Sequence, residues 1–378
     1  MTGSSSRAFA RIDLAALQAN HAEAVRRAAG RTPIAVVKAD AYGHGAVPVA
    51  RALVREGCRR FAVVTVGEAC ALRDAGIGEP LLVLGGAPGP PEAQEIVARR
   101  LCPVVHGEQD LAWLREAVRA RGGGPLDVQV EVDTGMTRMG VSADLAAALL
   151  ARVAACDELT LAGTFTHLAR ADEEELDACF EQIRRFRDVL REARRSGVAP
   201  GEVHVANSAG LLVGEPLRGP LPETHAVRPG LMLYGVRPAP HLEATLRPVM
   251  SFVARVHAVR AVPKGTPVGY GATWRAERDT RIATLPVGYA DGVPVAASNR
   301  GTVALGGRRL PIVGRVSMDS TTVDVGDAPV EAGDEALLFG AQDGATLPVE
   351  EAALAAGTIA YELLVRVGAR VPRRYEGV

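Results

Sequence analysis

Lys38 stands where an apolar stretch of the chain gives way to polar residues. The segment PIAVVKADAYGHG, residues 33–45, contains the apolar run Ile34–Val37, then the lysine, then a polar loop with two glycines. A lysine amine in a buried or half-buried setting has a lowered pKa and becomes a nucleophile. A lysine that reaches out to water from the same position has no such reactivity. Position alone leaves both interpretations open.

Other polar side chains follow later apolar runs in the same way. They are Arg138 in VDTGMTRMG, His167 in TFTHLAR, Asn207 and Ser208 in HVANSAG, and Arg228 in VRPGLMLYG. Backbone N–H groups at the start of a helix bind phosphate, and two segments offer such groups: Asn207, Ser208 and Gly210, and Gly230 with Leu231. A reactive lysine beside a phosphate cradle points to pyridoxal 5′-phosphate held as a Schiff base.

The elements that must position these residues alternate between strands and helices. Eight apolar runs precede residue 240, at 34–37, 61–66, 81–84, 102–105, 126–132, 159–165, 203–206 and 225–228. Amphipathic stretches such as 13–30 and 173–195 lie between them. Recurring βα units predict an α/β fold with a parallel sheet, and eight of them fit a (β/α)8 TIM-type barrel, whose strand C-termini share one mouth. A doubly wound sheet, the alternative, usually has fewer strands.

The pattern changes after Leu246. Strand-like runs broken by glycine and proline follow, and long amphipathic helices are absent until about Glu350. This pattern predicts a C-terminal, mainly antiparallel β domain. We therefore expect a barrel domain at residues 1–245 and a β domain at 246–378, with the residues before about position 10 packing against the β domain.

The composition excludes several classes of protein. The 378 residues are 48% apolar with a net charge of −1, so nucleic acid and anionic membranes are not expected partners. The N-terminus lacks a signal-peptide h-region, and no apolar run reaches the ~18 residues of a membrane helix. The five cysteines are scattered without CxxC or metal-ligand spacing. We expect reduced thiols, no metal and a cytoplasmic location.

Eight motifs together point to one family. They are VVKADAYGHG, DTGMTRMG, HVANSAG, VRPGLMLYG, VGYGATW, LPVGYADGV, GRVSMD and YELL. Their order and residues resemble those of the alanine racemases, two-domain enzymes that use pyridoxal phosphate. The likeness extends from RIDLAAL at 11–17 to ARVPRRY at 369–375. The resemblance implies interconversion of L- and D-alanine, with D-alanine supplied to peptidoglycan.

The resemblance implies two proton-transfer groups. Lys38 binds the cofactor and its freed amine acts as one base, and Tyr270 of VGYGATW is the other. Racemisation needs a group on each face of Cα, because proton removal leaves a planar carbanion. A tyrosine pKa of about 10 is too high for a base at neutral pH. The resemblance implies that His167 hydrogen-bonds to Tyr270, with Arg228 behind His167.

The remaining cofactor residues also follow from the resemblance. Those implied for the phosphate are Tyr42, Asn207, Ser208, Gly230, Leu231 and Tyr361. Arg228 faces the pyridine nitrogen, to which a permanently protonated guanidinium donates but gives no proton. Arg138 holds the phenolic oxygen of the cofactor and approaches the substrate carboxylate. His44 and His204 are expected to be structural or supporting residues.

The resemblance places part of the substrate site in a second subunit. Met318 offers a backbone N–H to the substrate carboxylate, Asp319 is its neighbour, and Tyr289 stands at the entrance. In the family these residues and Tyr270 come from the other chain, so a homodimer with shared active sites is implied. Sequence spacing alone does not show this.

Glu131 departs from the family pattern. Many members have a carbamylated lysine at this position, and its added carboxylate orients the arginine matched here by Arg138. Our hypothesis is that Glu131 supplies the negative charge directly, through a water or a shifted arginine rotamer if its side chain is too short. The alternative is an ordinary strand glutamate without such a contact.

Three other functions stay open beside alanine racemisation. A racemase for serine or another small amino acid is one, because a small pocket rejects an extra hydroxyl poorly. Tyr361 and Met318 limit the volume beside the substrate and favour alanine. A non-catalytic pyridoxal phosphate carrier is disfavoured by the β domain and Tyr270. A decarboxylase is disfavoured by Arg228, which stands where such enzymes have a carboxylate.

Overall fold

The computed structural model describes residues 6–377, and a nearly closed parallel barrel forms its N-terminal part. The barrel strands in chain order are Thr32–Pro33 with Ala35–Val36, Phe61–Val63, Leu81–Val83, Cys102–Val105, Leu126–Asp133, Leu159–Phe165, Glu202–His204 and Ala226–Val227. The two pieces of the first strand pair with the eighth and the second strand. The (β/α)8 barrel predicted from the eight apolar runs is confirmed.

Helices cover the outside of the barrel because their apolar faces match its apolar strands. Their bounds are Leu14–Ala28, Ala46–Arg55, Val66–Asp74, Pro90–Ala98, Glu108–Arg121, Ala143–Ala154, Asp177–Arg195, Ser208–Val213 and Glu215–Arg218. Asp177–Arg195 shows the pattern clearly, since Cys179, Ile183, Phe186 and Leu190 are buried at three- and four-residue spacing. Within residues 6–377, every helix is too short or too polar to cross a lipid bilayer.

The C-terminal part is mainly β, as predicted. Its largest sheet contains Ala8–Asp13, Met250–Arg255, Thr302–Leu305, Arg308–Pro311, Glu335–Gln342, Ala345–Leu347 and Arg373–Glu376. Two smaller sheets contain Ala258–Val262, Thr280–Leu285 and Thr321–Asp324, and Pro267–Val268 with Trp274–Arg275. Short 3-10 turns span Leu231–Tyr234, Tyr270–Ala272 and Val295–Ala297, and the pair Val141–Ser142 adds to the fifth barrel strand. All of these pairings are antiparallel except two. Ala8–Asp13 is parallel to Arg373–Glu376, and Val141–Ser142 is parallel to the barrel strand Leu126–Asp133.

The first strand of the chain belongs to the C-terminal sheet. Ala8–Asp13 pairs with Met250–Arg255 and with Arg373–Glu376. The division of the chain at residue 245 remains our proposal, and residues 1–5 and 378 of the two proposed domains lie outside the described part.

The C-terminal domain also packs against the mouth of the barrel. Two helices, Val349–Ala355 and Ala360–Arg366, follow its strands. The second approaches Gly43 so closely that a Cβ added to this glycine would lie 2.4 Å from the carbonyl oxygen of Leu364. Gly43 has a φ of +81°, which also favours glycine. This contact brings Tyr361 to the segment that follows the first barrel strand.

Candidate active site

The polar residues predicted at the strand ends meet at the C-terminal mouth of the barrel. Lys38 follows the first strand, Arg138 the fifth, His167 the sixth, Asn207 and Ser208 the seventh, and Arg228 the eighth. The charges of Arg138 and Arg228 act on His167, and that of Arg138 also acts on Lys38. Five of the eight strands thus deliver polar groups to one cationic surface.

Lys38 leads into a left-handed helical turn, Lys38–Gly43, rather than an irregular loop. Ala39, Asp40, Ala41 and Tyr42 have φ values of 51° to 54°. Non-glycine residues enter this region singly, at a cost of roughly 1–2 kcal/mol each, so the surroundings must hold the turn in place. The N–H of Ala39 donates to Glu68 (2.6 Å), and the N–H groups of Gly45 and Ala46 donate to the Asp40 carbonyl and carboxylate (2.9 and 2.7 Å).

Arg228 is a buried cation, with only 3% of its surface exposed. Its guanidinium donates to the carbonyl oxygens of Thr166 (2.9 Å) and Val205 (3.1 Å). It also donates to Nδ1 of His204 and, at 3.3 Å, to Nδ1 of His167. Burial lowers the pKa of Arg228 to about 10, against the opposing charge of Glu131. The guanidinium therefore stays charged at neutral pH.

Arg228 acts on the tautomers of both histidines, because a guanidinium only donates. His204 accepts through Nδ1 and carries its proton on Nε2, and the contact of Arg228 with Nδ1 of His167 favours the same tautomer there. The Nε2–H of His204 then donates to Oε1 of Gln129 (2.8 Å). Burial and the charge of Arg228 lower the pKa of His204 far below its usual range. Burial and the charges of Arg228, Arg138 and Lys38 lower that of His167 to about 3.

Lys38 lies in a setting that makes its amine easier to deprotonate. Burial lowers its pKa, the charge of Arg138 lowers it further, and Glu68 opposes the shift. A neutral amine has the free electron pair that a nucleophile or base needs. The half-buried placement of Lys38 favours the reactive interpretation over a lysine that extends into water.

Ser208 organises the segment predicted to cradle a phosphate. Its hydroxyl oxygen accepts from the N–H groups of Gly230 (2.9 Å) and Met232 (3.3 Å), which leaves its own proton free to donate. Asn207 caps the following short helix by accepting from Gly210 (3.0 Å). A Cβ added to Gly230 would lie 2.5 Å from the Tyr42 hydroxyl, so any larger residue there would displace the Tyr42 ring. Leu231 begins the next 3-10 turn.

Aromatic rings support this cradle. Tyr42 packs against Tyr234 and Tyr361, with ring centroids 4.8 and 6.2 Å apart. The hydroxyl of Tyr234 donates to the Val36 carbonyl oxygen (2.9 Å), which ties the eighth strand's loop to the first strand. Burial raises the pKa of Tyr42, and burial with the charge of Asp172 raises that of Tyr361 to about 12. Both therefore remain neutral hydrogen-bond donors.

Sequence reasoning missed two residues that the geometry makes important. Tyr234 is the last aromatic residue of the motif VRPGLMLYG, and the scarcity of tyrosine in this chain was the available signal. Gln129 is a buried polar residue in the middle of the strand Leu126–Asp133, which is a signal because parallel barrel strands are usually apolar. Its partner, His204, lies 75 positions further along the chain and is identified only by the fold.

Glu131 pairs with a residue other than the expected one. Within the described part of the chain its ion-pair partner is His106, at 3.4 Å, and Arg138 forms no ion pair. Arg138 is exposed and acts on Glu131 only through its charge. The expected direct contact between Glu131 and Arg138 is therefore absent, because the carboxylate turns toward the end of the fourth strand.

The residues expected from the second subunit form a separate cluster on the C-terminal domain. Tyr270 is 71% exposed, and Tyr289 and Met318 are exposed as well. The N–H of Tyr289 donates to Ser317 (3.0 Å), which holds these loops together. The hydrogen bonds of residues 6–377 include none from Tyr270 to His167 or Lys38.

Charged residues brace this second cluster. Asp291 is fully buried and accepts from the Gly288 N–H (3.1 Å). Arg7 pairs with Asp291 (2.5 Å), and Arg370 pairs with both Asp291 (3.4 Å) and Asp319 (2.7 Å). Asp319 is thus anchored within its own domain, and its carboxylate helps fix the loop that presents Met318.

The fold and the mouth define a class of protein: a (β/α)8 barrel with polar and cationic strand ends, followed by a mainly β domain. Residues 12–238 match the family described as "Alanine racemase, N-terminal domain", and residues 249–375 match "Alanine racemase, C-terminal domain". The chain is 43% identical to an alanine racemase of Sorangium cellulosum over 90% of each chain. This chain belongs to the alanine racemase family.

Solved structures agree with this assignment. The crystal structure of alanine racemase from D-cycloserine-producing Streptomyces lavendulae superposes with a TM-score of 0.92 at 39% identity, covering 99% of this chain and 98% of that one. Alanine racemase from Bartonella henselae, solved with covalently bound pyridoxal phosphate, gives a TM-score of 0.88 at 30% identity, covering 98% and 100%.

The left-handed turn generates a stability prediction. Ala39 is exposed with a φ of 51°, so replacing it with glycine relieves strain. We expect Ala39→Gly to raise the free energy of unfolding by about 0.5–1 kcal/mol, after the entropy cost of glycine is subtracted. The control, Ala22→Gly in the helix Leu14–Ala28, should lower it by about 1 kcal/mol. Urea unfolding measures both, and equal losses would contradict the strain.

The buried neutral histidines generate a pH prediction. His44, with a pKa lowered to about 4 by burial, joins His167 and His204 in binding fewer protons when folded than when unfolded. Stability is therefore full above the unfolded pKa of about 6.5 and falls as pH drops toward 4, by roughly 1.4 kcal/mol per pH unit for each histidine.

Two variants test this pH dependence by urea unfolding between pH 8 and pH 5. His44→Phe should reduce the acid slope by roughly the share of one histidine. The exposed His257 provides the matched control, and His257→Phe should leave the slope unchanged. An unaltered slope in His44→Phe would show that this histidine is protonated in the folded protein.

Proposed function

We propose that the chain interconverts L- and D-alanine with bound pyridoxal phosphate, through Lys38 on one face of the substrate and Tyr270 of the partner subunit on the other. The proposal rests above all on the half-buried Lys38 amine beside a cationic mouth. The cytoplasmic location and the supply of D-alanine to peptidoglycan remain predictions from the family resemblance.

The residues at the mouth fit this cofactor. An aldehyde needs an amine with a lowered pKa, which Lys38 offers. A phosphate needs donors and space, which the free proton of Ser208 and the absent side chain of Gly230 offer. Tyr42 and Tyr361 would complete the phosphate site, with Asn207 and Leu231 beside it. Arg228 would face the ring nitrogen, and Arg138 the phenolic oxygen.

When bound, pyridoxal phosphate supplies an electron sink for the pair of electrons left at Cα after proton removal. Arg228 limits how strong that sink becomes. Because its pKa of about 10 keeps it charged, it donates a hydrogen bond but does not hand over a proton at neutral pH. This supports racemisation over reactions that need a protonated ring nitrogen.

Proton exchange needs Lys38 and Tyr270 in opposite protonation states. Starting from L-alanine, one group accepts the Cα proton and the other donates a proton to the opposite face. The first group therefore ends protonated, and the second ends deprotonated. A neutral Lys38 amine with a protonated Tyr270 phenol of the partner subunit, or a phenolate with a Lys38 ammonium, satisfies this balance. The reverse reaction uses the same pair with roles exchanged.

His167 is the residue in this chain best suited to stabilise a phenolate. Its Nδ1 accepts from Arg228, so its Nε2–H is available to the Tyr270 oxygen of the partner subunit. Since the pKa of His167 is lowered to about 3, it donates as a neutral ring and does not protonate the phenolate. The buried charge of Arg228 behind it favours the anion.

The exposure of the second cluster supports a shared active site. Tyr270, Tyr289 and Met318 are large apolar side chains exposed on the C-terminal domain, the kind of surface that marks an interface. We propose a homodimer in which this cluster, with Asp319, covers the barrel mouth of the partner. The Met318 N–H would then bind the substrate carboxylate together with Arg138.

Chiral product analysis tests the activity. Purified protein with pyridoxal phosphate is offered L-alanine and L-serine separately, beside a Lys38→Ala control. We expect D-alanine to form much faster than D-serine, because Tyr361 and Met318 limit the volume beside the substrate, and no product from Lys38→Ala. Faster D-serine would shift the substrate within the same reaction. No D-product with cofactor bound would favour a non-catalytic carrier.

Complementation tests the shared site. Lys38→Ala and Tyr270→Phe are each expected to be inactive alone. When the two chains are co-expressed, half of the dimers are mixed and each has one intact site, so about a quarter of wild-type activity should return.

The matched control co-expresses two other chains, one with Lys38→Ala and one with His167→Ala. Both substitutions lie in the barrel, so no mixed dimer has an intact site. Recovery from the first pair but not the second supports sharing between subunits. Absence of recovery from both pairs, with dimers present, would mean that each site is built from one chain.

A further inference from the structure

His106 is a partly exposed histidine whose ring has a hydrogen-bond partner on one side only. It follows the fourth barrel strand, and its Nε2 lies 3.0 Å from the carbonyl oxygen of Leu84. A carbonyl only accepts, so Nε2 carries a proton. The Nδ1 atom is buried without a hydrogen-bond partner among the described residues and lies 3.4 Å from Oε2 of Glu131.

The short contact between His106 and Glu131 favours a proton on one of the two groups. A neutral ring with its proton on Nε2 presents a lone pair at Nδ1, and a carboxylate oxygen presents another lone pair. Two lone pairs this close in a largely buried site repel, so the contact favours a proton on Nδ1 or on the carboxyl group. In either arrangement the pair has no net charge.

The pair touches the loop that contains Arg138. Gly140 has a φ of +95°, and a Cβ added there would lie 3.0 Å from Cγ and from the carbonyl oxygen of Glu131. The backbone two residues after Arg138 therefore lies directly on the Glu131 side chain. Arg138 itself has no ion pair in residues 6–377, whereas the other nearby cation, Arg228, already has four acceptors.

We propose that His106 is a positioning residue: by sharing a proton with Glu131 it keeps the carboxylate neutralised and so leaves Arg138 free to bind the carboxylate of the substrate. This inference rests on the proposed function of Arg138. It reverses the hypothesis from the sequence, in which Glu131 lends its charge to Arg138. The negative charge at this position is balanced by His106 instead.

Two substitutions with different expected effects on KM test the proposal. His106→Gln keeps a donor for Leu84 but removes the shared proton, so Glu131 becomes an unbalanced anion that attracts Arg138. We expect the KM for L-alanine at pH 8 to rise roughly tenfold, the scale of one charge-assisted contact, with kcat changed much less. Glu131→Gln leaves a neutral amide that donates to Nδ1, and its KM should stay within about twofold of wild type.

The double variant His106→Gln/Glu131→Gln decides between the two hypotheses. Because the unbalanced anion is gone, its KM should return toward the wild-type value. A KM raised as much by Glu131→Gln as by His106→Gln, or a double variant no better than His106→Gln, would overturn the proposal. An unchanged KM in His106→Gln would also overturn it and leave the pair with a structural role only.

Urea unfolding of the four cofactor-free proteins gives a second readout that needs no activity. Non-additive losses of unfolding free energy would show that His106 and Glu131 interact, and additive losses would contradict the shared proton. If the wild-type protein does not racemise alanine, the proposed function is wrong, but urea unfolding still shows whether His106 and Glu131 interact. As a matched control, Glu158→Gln removes an outer ion pair with Arg115 (3.1 Å) and should cost stability without changing KM.

Discussion

The buried guanidinium of Arg228 is the constraint on which the rest of the site depends. A guanidinium with 3% exposure needs a hydrogen-bond acceptor for each of its buried N–H groups. Its pKa of about 10 means that it stays protonated at neutral pH. The loops after the sixth and seventh strands therefore present the carbonyl oxygens of Thr166 and Val205 to it. The same demand sets the tautomers of His167 and His204, so one buried charge sets proton positions at the ends of two strands, the sixth and the seventh.

A cationic mouth follows from this arrangement and has consequences for every titratable group nearby. His167 and His204 remain neutral beside Arg228, because protonating them would place a second positive charge next to a buried one. Lys38 feels burial and the charge of Arg138, so its amine loses its proton more readily. The surplus of positive charge suits a phosphate and a carboxylate, the two anions of the proposed reaction. A neutral Glu131–His106 pair preserves that surplus, whereas a free Glu131 carboxylate would consume part of it.

The sequence was most informative where local pattern decides structure. Apolar runs alternating with amphipathic stretches predicted the barrel, because a strand buried on both faces must be apolar along its length, and the strand ends then located Lys38, His167 and Arg228. The left-handed turn after Lys38 was not predictable, since Ala39–Tyr42 contains no glycine to signal positive φ and the turn is held by distant partners such as Glu68. The pairing of Glu131 with His106 was missed for a similar reason: the two are far apart in sequence, and only the barrel brings them together.

The proposed second proton-transfer group has a geometric reason to come from outside the barrel. All strand ends of a barrel point the same way, so the side chains they present approach the mouth from one side. A group on the opposite face of the substrate must therefore belong to another part of the molecule or to another subunit. The C-terminal helix Ala360–Arg366 packs at the edge of the mouth in the same chain and brings Tyr361 to it. The exposed side chains of Tyr270, Tyr289 and Met318 supply the opposite face in the dimer that we propose.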